Sequence, residues 1–442
     1  MVKAKNNIVR RVTAAIMSAI MLFSMSLMLA SCGKKTKITV WVYSDEYKTE
    51  LEDFLKTTKL KTSFDANIRV VNSSSFEEEF NNAVEKKQDI PDVFMLSPDN
   101  IYEYANSDLT ADVVSLGLTV NPDNYYSYTL EAATDSDGAI KALGWQADPG
   151  LFMYRRSMAK VYLGTDNPDD IQAMVSTWDG FYDTAKKIYT ESGGKTRMLA
   201  GQEDLMRPYL AADTLPWVQN NKLVISDTAS SYIDYVGKLS EEHLIYTAEQ
   251  WSEAWVKGIS DSQSVFGYFS SGICMQYAMK KACGGKAKGE GSYGDWAVIP
   301  GPSGYCWGGS WLAAYSGSKN KKAAGEFISV FTACTDDEGR MDESVKYFRT
   351  SGEFAASKAV VSQIRFDPQF EDTFIGGQNY YHQLSVVADG VTMNNLTIYD
   401  NEINTMFKTY MNEYAGGFKS KEQAVADFKT SVNVAFPKIN ID

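Results

Sequence analysis

Histidine is nearly absent from this chain: only His243 and His382 occur in 442 residues. That scarcity leaves little room for a Ser-His nucleophile or a histidine-ligated zinc. Cysteine is sparse as well. Besides Cys32 there are only Cys274, Cys283, Cys306 and Cys334, too few to build a fold from disulfides and at spacings that match no metal motif. Free, mostly buried thiols are expected, with Cys274 and Cys283 the pair most worth testing for a bridge. Basic charge is in deficit, 43 Lys and Arg against 56 Asp and Glu. The first 31 residues hold four of the basic residues and no acidic one, so the remainder carries 39 against 56, a net −17 with histidine neutral. So acidic a surface repels phosphate and excludes nucleic acid as a partner. Internal repeats and disordered interdomain linkers are missing too, which excludes an arrangement of two beads on a string.

What is present begins with a leader. Lys3, Lys5, Arg10 and Arg11 precede a mainly apolar run, Val12 to Leu29, that ends at Leu29-Ala30-Ser31-Cys32. This is the pattern of a secretory signal, expected over residues 1–31. Arg10-Arg11 lacks the rest of a twin-arginine motif. The Leu-Ala-Ser-Cys ending resembles the lipobox of bacterial lipoproteins. That resemblance implies a diacylated Cys32 as mature N-terminus, with 32–36 as a lipidated tether. Two acyl chains would hold a soluble domain on the outer side of the cell membrane without a spanning helix, in the periplasm if the cell has an outer membrane.

About 400 residues are too many for one core, so two lobes are the default. Ile38 to Tyr43 predicts a strand and Asp45 to Lys59 a helix with Leu51, Phe54 and Leu55 inward. Ile68 to Val71 predicts a second strand. Ser75 with Glu78 is expected to form a capping box for a helix burying Phe76, Phe80, Ala83 and Val84. Asp92 to Leu96 reads as a third, buried strand. This alternation is the grammar of a parallel α/β sheet. Ligands of such sheets bind beyond the carboxyl ends of the strands, where Tyr43, Ser44 and Asp45 sit at one end and Ser97, Pro98 and Asp99 at another. Further on the pattern is mainly helical, with Thr177 and Ser420 as helix caps and Asp135-Ser-Asp-Gly138 as a hairpin turn.

Several motifs fail on context. Gly289 to Gly294 matches GxGxxG but precedes a strand instead of linking strand to helix. Gly194-Lys195-Thr196 ends like a P-loop, yet Tyr189 stands where its first glycine belongs. The carboxylate pairs Asp169-Asp170, Glu241-Glu242 and Asp336-Asp337 lie in solvated runs. No catalytic constellation, metal set or cofactor motif emerges.

Two aromatic and glycine-rich segments stand out. In Gly144 to Ser157, GWQADPGLFMYRRS, a polar turn separates two apolar runs. Pro149 is expected to push Asp148 toward an extended backbone, and the turn to carry the chain between lobes with Trp145 and Asp148 facing a cleft. The second segment holds Tyr305, Trp307, Gly308, Gly309, Ser310 and Trp311. Indoles offer flat platforms to the C–H faces of sugars, and carboxylates and amides bind sugar hydroxyls.

With the lipobox, ITVWVYSDEYKTEL, PDVFMLSPDNIYEYANSD, GWQADPGLFMYRRSMAKVYLG and WAVIPGPSGYCWGGSWLAAYSGSKNKKAAGEFI in this order, the mature chain resembles extracellular solute-binding proteins of ABC importers. The likeness is to the maltose-binding-like, carbohydrate-binding branch. It implies a two-lobe α/β flytrap of the type II periplasmic-binding-protein kind, with interlobe crossing strands and C-terminal helices. The N-terminal lobe would take 37–143 and 301–351, the other 144–300 and 352–442. The implied ligand contacts are Trp41, Tyr43, Asp45, Asp99, Trp145, Asp148, Trp307 and Trp311, with no catalytic residue, metal or cofactor. The implied function is capture of a sugar or short oligosaccharide and its delivery to ABC permease subunits. Competing readings are a polyamine or other cationic ligand, a surface glycosidase and an adhesive lipoprotein.

Overall fold

The computed structural model describes residues 35–441. The expected signal peptide and the lipidation candidate Cys32 lie outside the described residues. The first strand, β1 (Thr36–Val42), buries Ile38, Val40 and Val42 on one face and Trp41 on the other. Burial on both faces is what a parallel strand between helical layers requires. The next helix, Asp45–Thr57, starts where the Ser44 hydroxyl accepts the Tyr47 N–H, and it buries Leu51 and Phe54. Strand β2 (Phe64–Val70) runs parallel to β1 along its whole length, with Thr36 opposite Phe64 and Val42 opposite Val70. Strand β3 (Val93–Leu96), entirely buried, pairs parallel on the other side of β1.

Between them lies the helix Phe76–Lys86, which buries Phe76, Phe80 and Ala83. The expected capping box is not formed. Ser75 closes a 3-10 turn, Ser73–Ser75, with helical backbone angles, and its hydroxyl donates to Glu79 at 3.1 Å. A residue already wound into a turn cannot present its side chain to the N3 amide. The Thr177 and Ser420 caps do form, accepting the Gly180 and Gln423 N–H groups. Asp135 likewise accepts the Asp137 and Ala139 N–H groups in the expected turn.

Strands β4 (Ala142–Gln146) and β5 (Gly150–Arg155) flank the turn Ala147-Asp148-Pro149. A two-residue hairpin joins β6 (Val218–Gln219) to β7 (Lys222–Leu223) through Asn220 and Asn221, both left-handed as such turns demand. Strands β8 (Gly267–Ser271), β9 (Trp296–Ile299) and β10 (Ser310–Ala314) complete the set. The first sheet has the order β2-β1-β3-β10-β4, with β10 antiparallel to both neighbours. The second has the order β8-β5-β9, with β5 antiparallel to both.

The chain therefore passes from the first sheet to the second at 147–149 and returns between β9 and β10. A third segment lies beside these two. Ala147 N donates to Phe354 O at 2.9 Å and Ala356 N to Trp145 O at 3.1 Å, while Gly150 N donates to Tyr305 O at 2.8 Å. Residues 145–150 are thus the middle of a three-segment band. The close fit explains Gly150: a Cβ there would stand 2.0 Å from the Tyr305 ring.

Asp148 does not adopt the extended backbone expected before a proline. Its φ is +44°. Aspartate tolerates this region better than most residues, and the arrangement is held because the Asp148 carbonyl accepts the Trp307 and Gly308 N–H groups at 3.2 and 3.3 Å.

One apolar core carries both faces of the first sheet and continues to one face of the second, through Met153, Tyr268, Trp296 and Val298. The other core fills the opposite face, with Phe152, Tyr154, Phe269, Ala297 and Ile299. The period-two alternation of β5 splits its side chains between them. The C-terminal region divides as well. Val360, Ile364, Phe374, Tyr381 and Leu384 join the first core, and Ile403, Phe407, Met411 and Phe428 the second.

Candidate functional site

A cleft of about 440 Å³ opens between the two sheets. One wall is the loop after β3 and the short helix behind it, with Asp99, Tyr102 and Glu103. The facing wall is the helix Glu203–Leu210, which presents Glu203 and Arg207, flanked by Gln250. Gly304, Tyr305 and Cys306, on the return crossing, connect the two, and Trp217, Asn404 and Lys408 close one side.

The helix Glu203–Leu210 is held by its polar residues. Asp204 is buried and accepts the Trp255 indole N–H at 2.9 and 3.0 Å. Burial pushes its carboxyl up to about 8; the Trp255 and Gln250 hydrogen bonds oppose that rise, and the neighbouring Glu203 charge adds to it. Glu203 accepts from Asn412 Nδ2 at 2.5 Å and from the Gln250 N–H at 3.3 Å, and pairs with Lys408 at 3.6 Å. Trp217 is fixed by its N–H donating to Asn404 at 2.8 Å and by the Phe407 ring. Arg207 is exposed. Carboxylates, amides and a guanidinium on opposed walls can bind hydroxyl groups from two sides.

The eight expected contacts scatter. Asp99 lines this cleft. Asp45 instead lines a separate hollow of about 790 Å³ between the helices Asp45–Thr57 and Glu338–Ser351. Tyr43 is half-buried and shares a hydrogen bond with the Asn100 amide at 3.0 Å; burial raises its hydroxyl well above the usual range. Trp41 is buried, edge-on to Phe76 and Phe80. Trp311 is buried with its N–H donating to Thr129 O at 2.7 Å. Trp145 is 1% exposed, stacked on Tyr347 and edge-on to Phe331. Those three rings belong to the core, a correction to the expectation that they face a cleft. A strand covered on both faces offers its indoles no solvent side.

Asp148 is fully buried at the crossing. One carboxylate oxygen accepts the Ile273 N–H at 3.2 Å, and the other has no protein partner. Burial pushes the carboxyl up to about 7, against the Ile273 hydrogen bond. Trp307 is half-buried and packs against both cores, so it stands at the seam between the sheets.

Sequence reasoning missed Glu203, Asp204 and Arg207. The available signal was three charged residues within one helical turn and a half, in a window otherwise dominated by apolar side chains. It missed Trp217 too. The four remaining cysteines are free, as expected, and burial raises Cys274 and Cys306 to about 12. Among the described residues no helix is long and apolar enough to cross a membrane, and no cluster could hold a metal ion.

The family profile described as bacterial extracellular solute-binding protein matches residues 53–360. The chain belongs to that family. Solved structures share the solute-binding fold over nearly its whole length. A structure of an extracellular solute-binding protein of family 1 has a TM-score of 0.74 at 16% identity, covering 92% of this chain and 100% of that one. An ABC transporter associated binding protein from B. animalis subsp. lactis Bl-04, in complex with β-1,6-galactobiose, gives 0.67 at 21%, covering 92% and 100%. The sugar-binding protein MalE from Xanthomonas citri gives 0.69 at 15%, covering 90% and 96%. These likenesses establish the two-lobe solute-binding architecture. No curated protein sequence matches.

Proposed function

We propose that this solute-binding protein is a lipid-anchored, non-enzymatic receptor that captures a sugar or short oligosaccharide and delivers it to the permease of an ABC importer. The observation that carries this reading is the cleft itself. Asp99 and Glu103 face Glu203 and Arg207 across about 440 Å³, and these walls belong to units joined by the three-segment band at 145–150, 305–310 and 353–356. A ligand touching both walls would bind the closed form preferentially and shift the population toward it. The lobes would then divide at 147–149, 301–309 and 352–357. Asp99 and Trp307 remain proposed ligand contacts, with Asp148 at the hinge.

Sugar ligands are supported by the relatives solved with β-1,6-galactobiose and maltose. A cationic ligand such as a polyamine is the second reading. Five carboxylates of the cleft, on Asp99, Glu103, Glu203, Asp213 and Asp400, outnumber Arg207 and Lys408. A thermal-shift screen of the mature chain against mono- and oligosaccharides and polyamines separates the two. At least one sugar should raise the melting temperature; spermidine alone doing so overturns the sugar reading. For the anchor, radiolabelled palmitate should enter the wild type and not Cys32→Ala. Equal labelling of the two would sink it.

A further inference from the structure

A hydrogen-bonded cluster ties the unit of the first sheet to that of the second, outside the residues that line the cleft. Glu50 lies on the helix Asp45–Thr57, which packs on β1 and β2. Tyr277 lies in a π-helical turn, Met275–Met279, that follows β8 of the second sheet. The Tyr277 hydroxyl donates to Glu50 Oε1 and stands 3.0 Å from Glu353 Oε1. Glu353 belongs to the third segment of the crossing band, and its Oε2 accepts from Gln146 at 2.7 Å and from Tyr347 at 2.9 Å. Two carboxyl groups thus meet at one hydroxyl, at the joint between the units.

The hydrogens of ionised groups do not suffice for these contacts. A tyrosine hydroxyl carries one hydrogen and a carboxylate carries none. Tyr277 can donate to one glutamate only, so its contact with the other needs a proton on a carboxyl. Glu50 Oε2, buried and without a partner, marks where the count falls short. The nearby cations are engaged elsewhere: Lys346 lies 3.9 Å from Glu343, and Lys281 lies over the Tyr277 ring at 5.5 Å. The other facing groups are acidic or phenolic. Glu46 and Asp53 share the Glu50 helix, Glu343 and Tyr347 lie on Glu338–Ser351, and Tyr47 and Asp148 stand toward the crossing. Burial, together with the Glu353 charge, pushes Glu50 up to about 8, and burial raises Glu353 as well. Burial also raises the Tyr277 hydroxyl, so it stays a donor.

We propose that Glu50, Tyr277 and Glu353 form a proton-dependent latch between the two lobes, held shut by one proton on the carboxyl pair. With that proton in place, one carboxyl donates to the Tyr277 oxygen and Tyr277 donates to the other carboxylate. Glu50 and Tyr277 line the hollow beside the helix Asp45–Thr57, which gives the proton a way to solvent. Once it leaves, two like charges share one donor and repel, and the second unit is freed to turn about the band. Ligand that prefers the closed form is then held less firmly at alkaline pH. The inference rests on the two-lobe architecture and is independent of whether the ligand is a sugar.

Solution scattering of the apo protein at pH 6 and pH 9, with circular dichroism to confirm folding, tests the latch. The wild type should be compact at pH 6 and show a larger radius of gyration at pH 9. Glu50→Gln places an amide donor beside the Tyr277 oxygen at every pH, so it should stay compact at both. Tyr277→Phe removes the bridge and should be expanded at both. A wild-type radius unchanged between the two pH values overturns the latch. So does a Glu50→Gln or Tyr277→Phe protein that keeps the wild-type pH response. Should Glu50→Gln fail to fold, Tyr277→Phe decides by the same readout.

Discussion

The side-chain amide of Gln146 donates to Glu353 at 2.7 Å while its oxygen accepts the Ser310 hydroxyl at 2.9 Å. One buried residue thus ties the middle segment of the crossing band to both neighbours. Gln146→Leu leaves Glu353 and Ser310 each short of a buried partner. It should destabilise the apo protein by about 1–3 kcal/mol, measured by urea unfolding. No change in the midpoint would mean that the band does not depend on this residue.

Stability should fall with rising pH. Burial raises Asp148 to about 7 and Asp204 to about 8, and burial together with the Glu353 charge raises Glu50 to about 8. Each carboxyl titrates near 4 when unfolded. Between about 4 and 8 the folded state therefore binds more protons, so its advantage is full at the acid end and is lost as pH climbs through the folded values. The apo melting temperature should be higher at pH 5 than at pH 8. Asp204→Asn, which keeps an acceptor for Trp255, should lessen that slope; an unchanged slope would remove Asp204 from the explanation.

Trp145→Ala should behave as a core truncation. The ring is buried against Tyr347 and Phe331, so apo stability should drop by about 3–5 kcal/mol. A nearly unchanged melting temperature with weakened ligand binding would return this residue to the cleft.

Gly150→Ala should destabilise by roughly 1–3 kcal/mol or more through overpacking, because its Cβ meets the Tyr305 ring. Adding Tyr305→Leu should recover part of the loss. If Gly150→Ala alone unfolds at the wild-type urea midpoint, the close packing of the band is wrong.

The first sheet was legible because buried β-branched strands alternate with helices of clear apolar faces, and Ser44, Thr177 and Ser420 mark helix starts by local chemistry. The crossing at 147–149 was legible through its proline and glycines. The site was much less so. Trp41, Trp145 and Trp311 sit on strands covered from both sides, where alternation separates one face from another but not core from cleft. Glu203 and Arg207 are brought opposite Asp99 only by the packing of separate units. The 352–393 segment returns to the first core through contacts at sequence separations beyond the reach of any local pattern.

The central claim is that the cleft between Asp99 and Arg207 holds the ligand. Isothermal titration of a glycan that binds the wild type, against Asp99→Ala, tests it most directly. Asp99 is exposed, so folding should be unaffected. Affinity should fall on the order of tenfold or more, as expected for the loss of a charged hydrogen bond. Equal affinity for the two proteins would contradict the claim and place the ligand elsewhere.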